Sequence, residues 1–234
     1  MTVIRRVTTT RAGGVSAPPF DTFNLGDHVG DDPAAVAANR KRLAATIGLA
    51  PDHVVWMNQT HSDHVAIVDG PRADAVDDTD ALVTSTPGLA LAVVTADCVP
   101  VLMSDARAGV VAAVHAGRVG AADGVVLRAL ETMLANGAHT EDISVLLGPA
   151  VSGANYEVPA QMAADVEARL PGSRTRTAKG TPGLDLRAGI ARQLSDAGVT
   201  AIDIDPRCTV ADKKLFSHRR GAPTGRLACL VWMQ

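Results

Sequence analysis

The sequence predicts a mixed α/β fold of the α+β type. Short apolar runs of Val, Ala and Leu, bounded by Gly, Pro and Asp, read as buried strands. Roughly nine such strands alternate unevenly with roughly four helical patterns, without the strict β-α-β repetition of a doubly wound parallel sheet. Hydrophobic residues make up 47% of the chain but aromatic residues only 3%, so the core is aliphatic. At 234 residues the chain is long enough to bury a substantial core, and it shows no linker or short repeat. Residues 1–234 are therefore read as one domain.

Residues 3–10 form a β-like run ended by Gly13-Gly14, and residues 20–30 are a Gly/Asn/Asp-rich loop. Asp32-Pro33 starts a helix, an N-cap acid followed by a first-turn proline, and Gly48 stops it. Val36, Leu43 and Ile47 share its buried face, and Arg40 falls on or beside that stripe, where a guanidinium snorkels readily. Residues 54–58 and 65–68 read as strands around a Q-T-H-S-D-H turn, and 81–84 as another. Within that turn His61 and His64 are a possible ligand pair or two polar surface residues. Residues 121–136 form one amphipathic helix stopped by Asn136-Gly137, followed by a strand at 143–147. Pro159 opens a helix ended by Pro171-Gly172, residues 173–183 read as an exposed loop, and Asp185 caps a further helix. Strands at 201–204 and 226–232 flank a basic, turn-rich loop, F-S-H-R-R-G-A-P-T-G.

Composition excludes several classes. A net charge of −3 with no Lys/Arg-rich segment argues against a nucleic-acid partner. Three widely spaced cysteines read as reduced thiols, which points to the cytoplasm. The N-terminal residues lack the apolar region of a signal peptide, and Asp97 breaks the longest apolar run, so no membrane span is expected.

The stretch 90–120 concentrates the chemistry. Two apolar runs lead into reactive side chains, Cys98 after the first and His115 at the end of the second. Asp97-Cys98-Val99-Pro100 marks a strand end or bulge, because proline cannot donate to a central ladder. A thiol and an imidazole at strand ends beside the Gly117–Gly120 loop suit a site; they equally suit a small buried thiol and a core histidine. The chain contains no G-x-G-x-x-G, Walker A, H-E-x-x-H, C-x-x-C or G-x-S-x-G motif.

What remains is an ordered set: N-L-G-D-H-V-G-D-D with Asn39-Arg40, Q-T-H-S-D-H-V, D-A-L-V-T, T-A-D-C-V-P-V-L, A-A-V-H-A-G, L-G-P-A-V, Y-E-V, F-S-H-R-R and T-G-R. This set resembles the multicopper polyphenol oxidoreductase (laccase-like) family, which is linked to purine nucleoside phosphorylase activity and to peptidoglycan editing. The resemblance implies a four-layer α/β/β/α arrangement of mixed sheets, similar to the cysteine-hydrolase domain of a bacterial toxin. It also implies a metal site of His61, Cys98 and His115. Zinc takes imidazole nitrogen and thiolate sulfur, and three protein ligands leave a fourth position open. Two positions depart from the family pattern: His115-Ala116-Gly117-Arg118-Val119-Gly120 stands for the usual H-A-G-W-R-G, and Asn155 stands where cysteine is common.

The resemblance implies phosphorolysis of adenosine, inosine or guanosine, with adenosine deamination as a second activity. Cys98 and His115 would be catalytic, with Asp97 moving a proton or orienting a ligand. Gly117, Arg118, Arg40 and Arg219 would hold phosphate, a guanidinium matching it bidentately, although Arg219-Arg220 also suits a solvated basic turn. The alternative partner is a cell-wall precursor, a UDP-muramoyl intermediate from which L-serine is removed. Two His and one Cys also form a blue-copper set, but seven histidines without an H-x-H pair do not supply a trinuclear cluster. A structural zinc site closed by a fourth protein ligand is the non-catalytic reading.

Overall fold

Strand β5 (Ala90–Thr95), the first of the two apolar runs, is buried at every residue, as are β6 (Val99–Asp105), β7 (Val110–Ala116) and the last strand, β12 (Leu227–Met233). Strands covered on both faces need no polar alternation, which is why these segments read as continuous apolar runs. The computed structural model describes residues 2–234. Before β5 come β1 (Ile4–Thr8), α1 (Pro33–Thr46), β2 (Val54–Val55), β3 (Val65–Ile67) and β4 (Ala81–Thr84). After β7 come α2 (Arg118–Asp123), α3 (Val125–Ala135), β8 (Ile143–Leu147), α4 (Ala160–Arg169), β9 (Arg174–Arg176), β10 (Pro182–Leu184), α5 (Leu186–Asp196) and β11 (Ala201–Ile204).

Two mixed sheets result, one of order β1-β12-β5-β2 and one of order β11-β8-β6-β7-β4-β3. Side chains alternate across each strand, and the core divides accordingly. Leu91, Val93 and Val231 of the first sheet meet Leu102, Val111 and Ala113 of the second. On the other face of the first sheet, Ala90, Ala92 and Val94 pack with Leu43 and Ala44 of α1. On the outer face of the second, Val101, Met103 and Val114 pack with Val126 and Leu130 of α3 and Ile190 of α5. The layers are therefore helix, sheet, sheet, helices, the α/β/β/α arrangement expected from the resemblance.

The helix starts form as the sequence predicts. Asp32 accepts a hydrogen bond from the Ala34 N–H at 2.9 Å, and Asp185 accepts one from the Ala188 N–H at 3.2 Å.

Three segments depart from expectation. The helix expected over 121–136 is two helices, because Gly124 adopts the left-handed φ of +94° that ends α2. The segment expected as an exposed loop at 173–183 contains β9 and β10, an antiparallel pair with Thr175 opposite Gly183. The strand expected over 54–58 shortens to β2, with Met57 making only an isolated bridge to Val76. The described residues thus hold twelve strands and five α-helices rather than nine and four.

Candidate active site

The β5–β6 crossing carries the chain from one sheet to the other, and Cys98 lies in it. Antiparallel pairing sets Val99 opposite Ala116 and Pro100 opposite His115, so thiol and imidazole emerge at the same edge. On the other side of β7, β4 pairs with Ala81 opposite Val114. That register brings Asp80 and the 60–62 loop against His115.

The donor atoms of His61, Cys98 and His115 lie within 4.8 Å of one another. His61 Nε2 is 3.9 Å from Cys98 Sγ, and the two imidazoles meet edge to face with centroids 4.7 Å apart. His115 donates Nδ1–H to Asp80 Oδ1 at 2.7 Å, which turns its Nε2 toward the thiol. Gly117 makes the close approach possible, since a Cβ there would sit 2.6 Å from His61 Cδ2 and 3.3 Å from Cys98 Sγ. His64 is not part of this group; its Nδ1 pairs with Asp78 at 3.1 Å.

The donor set fits a zinc ion. Tetrahedral bonds of 2.0–2.3 Å separate ligand atoms by about 3.5 Å, a small contraction from the spacing present. Copper accepts the same two nitrogens and one sulfur. Among the described residues this is the one group of three or more His, Cys, Asp or Glu in ligating range.

Charges within the trio support one another. Burial pushes the Cys98 thiol up, but His115 and His61 outweigh it and bring it down to about 6. Burial likewise pushes the His115 imidazole down, while Cys98 and Asp80 outweigh it and raise it to about 9. Without metal, a thiolate and an imidazolium face each other at neutral pH. Burial disfavours the Asp80 carboxylate, yet hydrogen bonds from His115 and Ser62 hold it well below the usual carboxylate range.

A cavity of about 340 Å³ opens over the trio, at the lower end of the range for small-molecule sites. Arg118, the first residue of α2, lines it together with Arg219 and Arg226. None of these three arginines pairs with a carboxylate among the described residues. The Arg219 guanidinium stacks on Tyr156, 4.4 Å from the ring centroid.

Asp97 also lines the cavity, at a left-handed φ of 101°. Both its carboxylate oxygens are engaged: Oδ1 accepts from Thr209 Oγ1 at 2.6 Å, and Oδ2 accepts the Arg219 N–H at 2.7 Å. Gly117 and Gly120 pack α2 onto the 60–62 loop, where a Cβ on Gly120 would lie 2.6 Å from the Ser62 carbonyl oxygen.

Arg40 is not in the cavity wall. Its guanidinium lies over Trp56, pairs with Asp27 at 3.2 Å and donates to the Leu25 carbonyl at 3.0 Å. It thereby orders the loop that carries His28 to the cavity rim.

Sequence reasoning missed Asp80, Tyr156, His28 and Arg226 as site residues. Asp80 opens the D-A-L-V-T motif with nothing local to name its partner, and only the β4–β7 register brings it to His115. Arg226 is placed by Asn24 and Gly26, about 200 residues earlier. Its N–H donates to Asn24 Oδ1 at 2.8 Å, and a Cβ on Gly26 would lie 2.6 Å from its Cγ.

Residues 5–234 match the family model described as multi-copper polyphenol oxidoreductase laccase. A protein of Mycobacterium tuberculosis named purine nucleoside phosphorylase is 78% identical over 231 residues, covering 99% of this chain and 92% of that one. A protein of Corynebacterium glutamicum with the same name is 61% identical over 232 residues, covering 98% and 94%. The solved structure of Bacillus licheniformis hypothetical protein YfiH superposes with a TM-score of 0.92 at 32% identity, covering 99% of this chain and 93% of that one. With the model matching nearly end to end, the chain belongs to the multi-copper polyphenol oxidoreductase laccase family.

Proposed function

We propose that this chain is a metal-dependent purine nucleoside phosphorylase, converting adenosine, inosine or guanosine and phosphate into the free base and ribose 1-phosphate. The observation that carries this reading is a single cavity holding both the His61–Cys98–His115 donor set and three arginines that pair with no carboxylate among the described residues. Relatives named purine nucleoside phosphorylase support it.

In phosphorolysis the bond from ribose C1′ to purine N9 breaks and a phosphate oxygen bonds to C1′. The base leaves with the bonding pair and takes up a proton. Arg118, Arg219 and Arg226 hold the phosphate, to which guanidinium groups donate in bidentate fashion. Tyr156, Val151 and Leu186 offer the purine an apolar wall. Asp97 orients this arrangement by holding the Arg219 backbone, with both oxygens already occupied. His61, Cys98 and His115 would hold a zinc ion, which would supply a Lewis acid beside the substrate. Adenosine deamination, in which water replaces the C6 amino group and ammonia leaves, is the second reaction we assign to this cavity. Three free thiols suit a reducing compartment, and we place the enzyme in the cytoplasm.

A cavity of about 340 Å³ matches a nucleoside better than a UDP-muramoyl intermediate. The test is product analysis with each nucleoside, with and without phosphate, beside UDP-muramoyl-L-serine. Phosphate-dependent release of base and ribose 1-phosphate is the expected result. Intact nucleosides together with serine release would overturn the reading in favour of precursor hydrolysis.

A further inference from the structure

Asp80 is buried completely, and its carboxylate gathers donors from both imidazole-bearing segments. Oδ1 accepts from His115 Nδ1 at 2.7 Å and from the His61 backbone N–H at 3.1 Å. Oδ2 accepts from the Ser62 N–H at 2.7 Å, the Ser62 hydroxyl at 2.8 Å and the Thr60 N–H at 3.1 Å. The Asp80 carbonyl also accepts the His115 N–H, at 2.7 Å.

Three consecutive N–H groups of residues 60–62 thus converge on one carboxylate, wrapping the loop around it as an anion-binding nest. His61 sits at the centre with a left-handed φ of 63°, which residues bearing a Cβ adopt infrequently. The same carboxylate keeps the His115 proton at Nδ1, so that Nε2, which faces Cys98, is the nitrogen that gives up its proton to a metal.

We infer that Asp80 is the positioning residue of the metal site, setting both histidines at once: His115 through its ring and His61 through its backbone. The inference rests on the metal-binding part of the proposed function and not on the substrate. The geometry is built before any ion arrives, since every bond named is within the protein. Asp80→Asn keeps size and shape but replaces one accepting oxygen with an NH2 group. That group opposes either the His115 Nδ1–H and His61 N–H or the N–H groups of Thr60 and Ser62.

The test compares the full chain with Asp80→Asn, both stripped with a chelator and titrated with zinc against a chromophoric competitor. Zinc affinity is expected to fall about 10- to 100-fold, as for removal of other partners that orient metal ligands. Cobalt substitution should show altered ligand-field and thiolate bands, and nitrogen NMR of the metal-free protein above pH 9, where the His115 imidazole is neutral, should show that its Nδ1–H preference is lost. Asp105→Asn is the control. Asp105 is equally buried and accepts the N–H groups of Arg107, Ala108 and His139, but it touches no site residue. It should lower the melting temperature and leave zinc affinity unchanged. If Asp80→Asn does not fold, Ser62→Ala removes one bond to Oδ2 and is expected to weaken zinc a few-fold.

Zinc affinity, cobalt spectrum and His115 tautomer all unchanged in Asp80→Asn, or in Ser62→Ala where that variant stands in, would overturn the inference. So would an equal loss of zinc affinity in Asp105→Asn. Failure to phosphorolyse nucleosides with these metal and tautomer effects intact would overturn the proposed reaction alone.

Discussion

Asp97 accepts the backbone N–H of Arg219 at 2.7 Å across 122 positions of the chain. The residue before the site thiol therefore fixes the arginine that stacks on Tyr156. Removing that tether frees the loop without touching the metal donors. Asp97→Ala is expected to lower kcat/KM by about 100-fold, the scale of loss for small misplacements in an active site. Phosphate KM should rise, and zinc content should remain stoichiometric by elemental analysis.

The neighbouring arginines divide their work. The Arg220 guanidinium donates to the carbonyls of Thr209 at 2.7 Å and Asp212 at 2.9 Å, and also to that of Leu215. It ties down the loop from inside. Arg220→Ala is expected to cost about 2–4 kcal/mol in stability, measured by denaturant unfolding, because charged hydrogen bonds and buried carbonyls are lost together. Arg219→Ala should leave stability within about 0.5 kcal/mol and instead raise the KM for phosphate.

Gly117 tests the crowding of the donor set. Gly117→Ala places a methyl group 2.6 Å from His61 Cδ2, so the imidazole must move. Zinc affinity is expected to fall at least about tenfold, as when a ligand's support is lost, while the melting curve of the metal-free protein changes little. Isothermal titration with zinc checks the first effect and calorimetry the second.

Local chemistry made much of this molecule legible. Asp32-Pro33 and Asp185 announced their helices because capping is settled within three residues. The apolar runs of β5, β6 and β7 announced buried strands, and the four layers follow the resemblance. His61, Cys98 and His115 come together as the resemblance implies. Features set by distant pairing were not legible. Gly124 resembles any tolerated helical glycine until its left-handed φ splits the helix. The β9–β10 pair lies in a polar, basic segment with no alternation to betray it. Arg40 carries the spacing of a snorkelling side chain, and its commitment to Asp27, Leu25 and Trp56 depends on the fold of the 24–28 loop.

The metal-free protein should carry an unusually reactive thiol. A thiol lowered to about 6 is mostly ionised at pH 7, whereas an ordinary cysteine near 8.5 is not. The acidic form is the unreactive one, so Cys98 alkylation should rise with pH through about 6 and level off above 7. Iodoacetamide labelling followed by peptide mass spectrometry measures this profile. His115→Ala should move the midpoint upward, because the imidazolium that favours the thiolate is gone, and zinc should protect Cys98 throughout.

In the proposed reaction, nucleoside phosphorolysis runs through the donor set of His61, Cys98 and His115. The most direct measurement is phosphate-dependent adenine release from adenosine by zinc-reconstituted protein, the same protein stripped of metal, and Cys98→Ala. Turnover is expected in the first and a loss of at least about 100-fold in the other two, the scale seen when a key electrostatic group is removed. Equal turnover in all three, or none in the reconstituted protein, would contradict it.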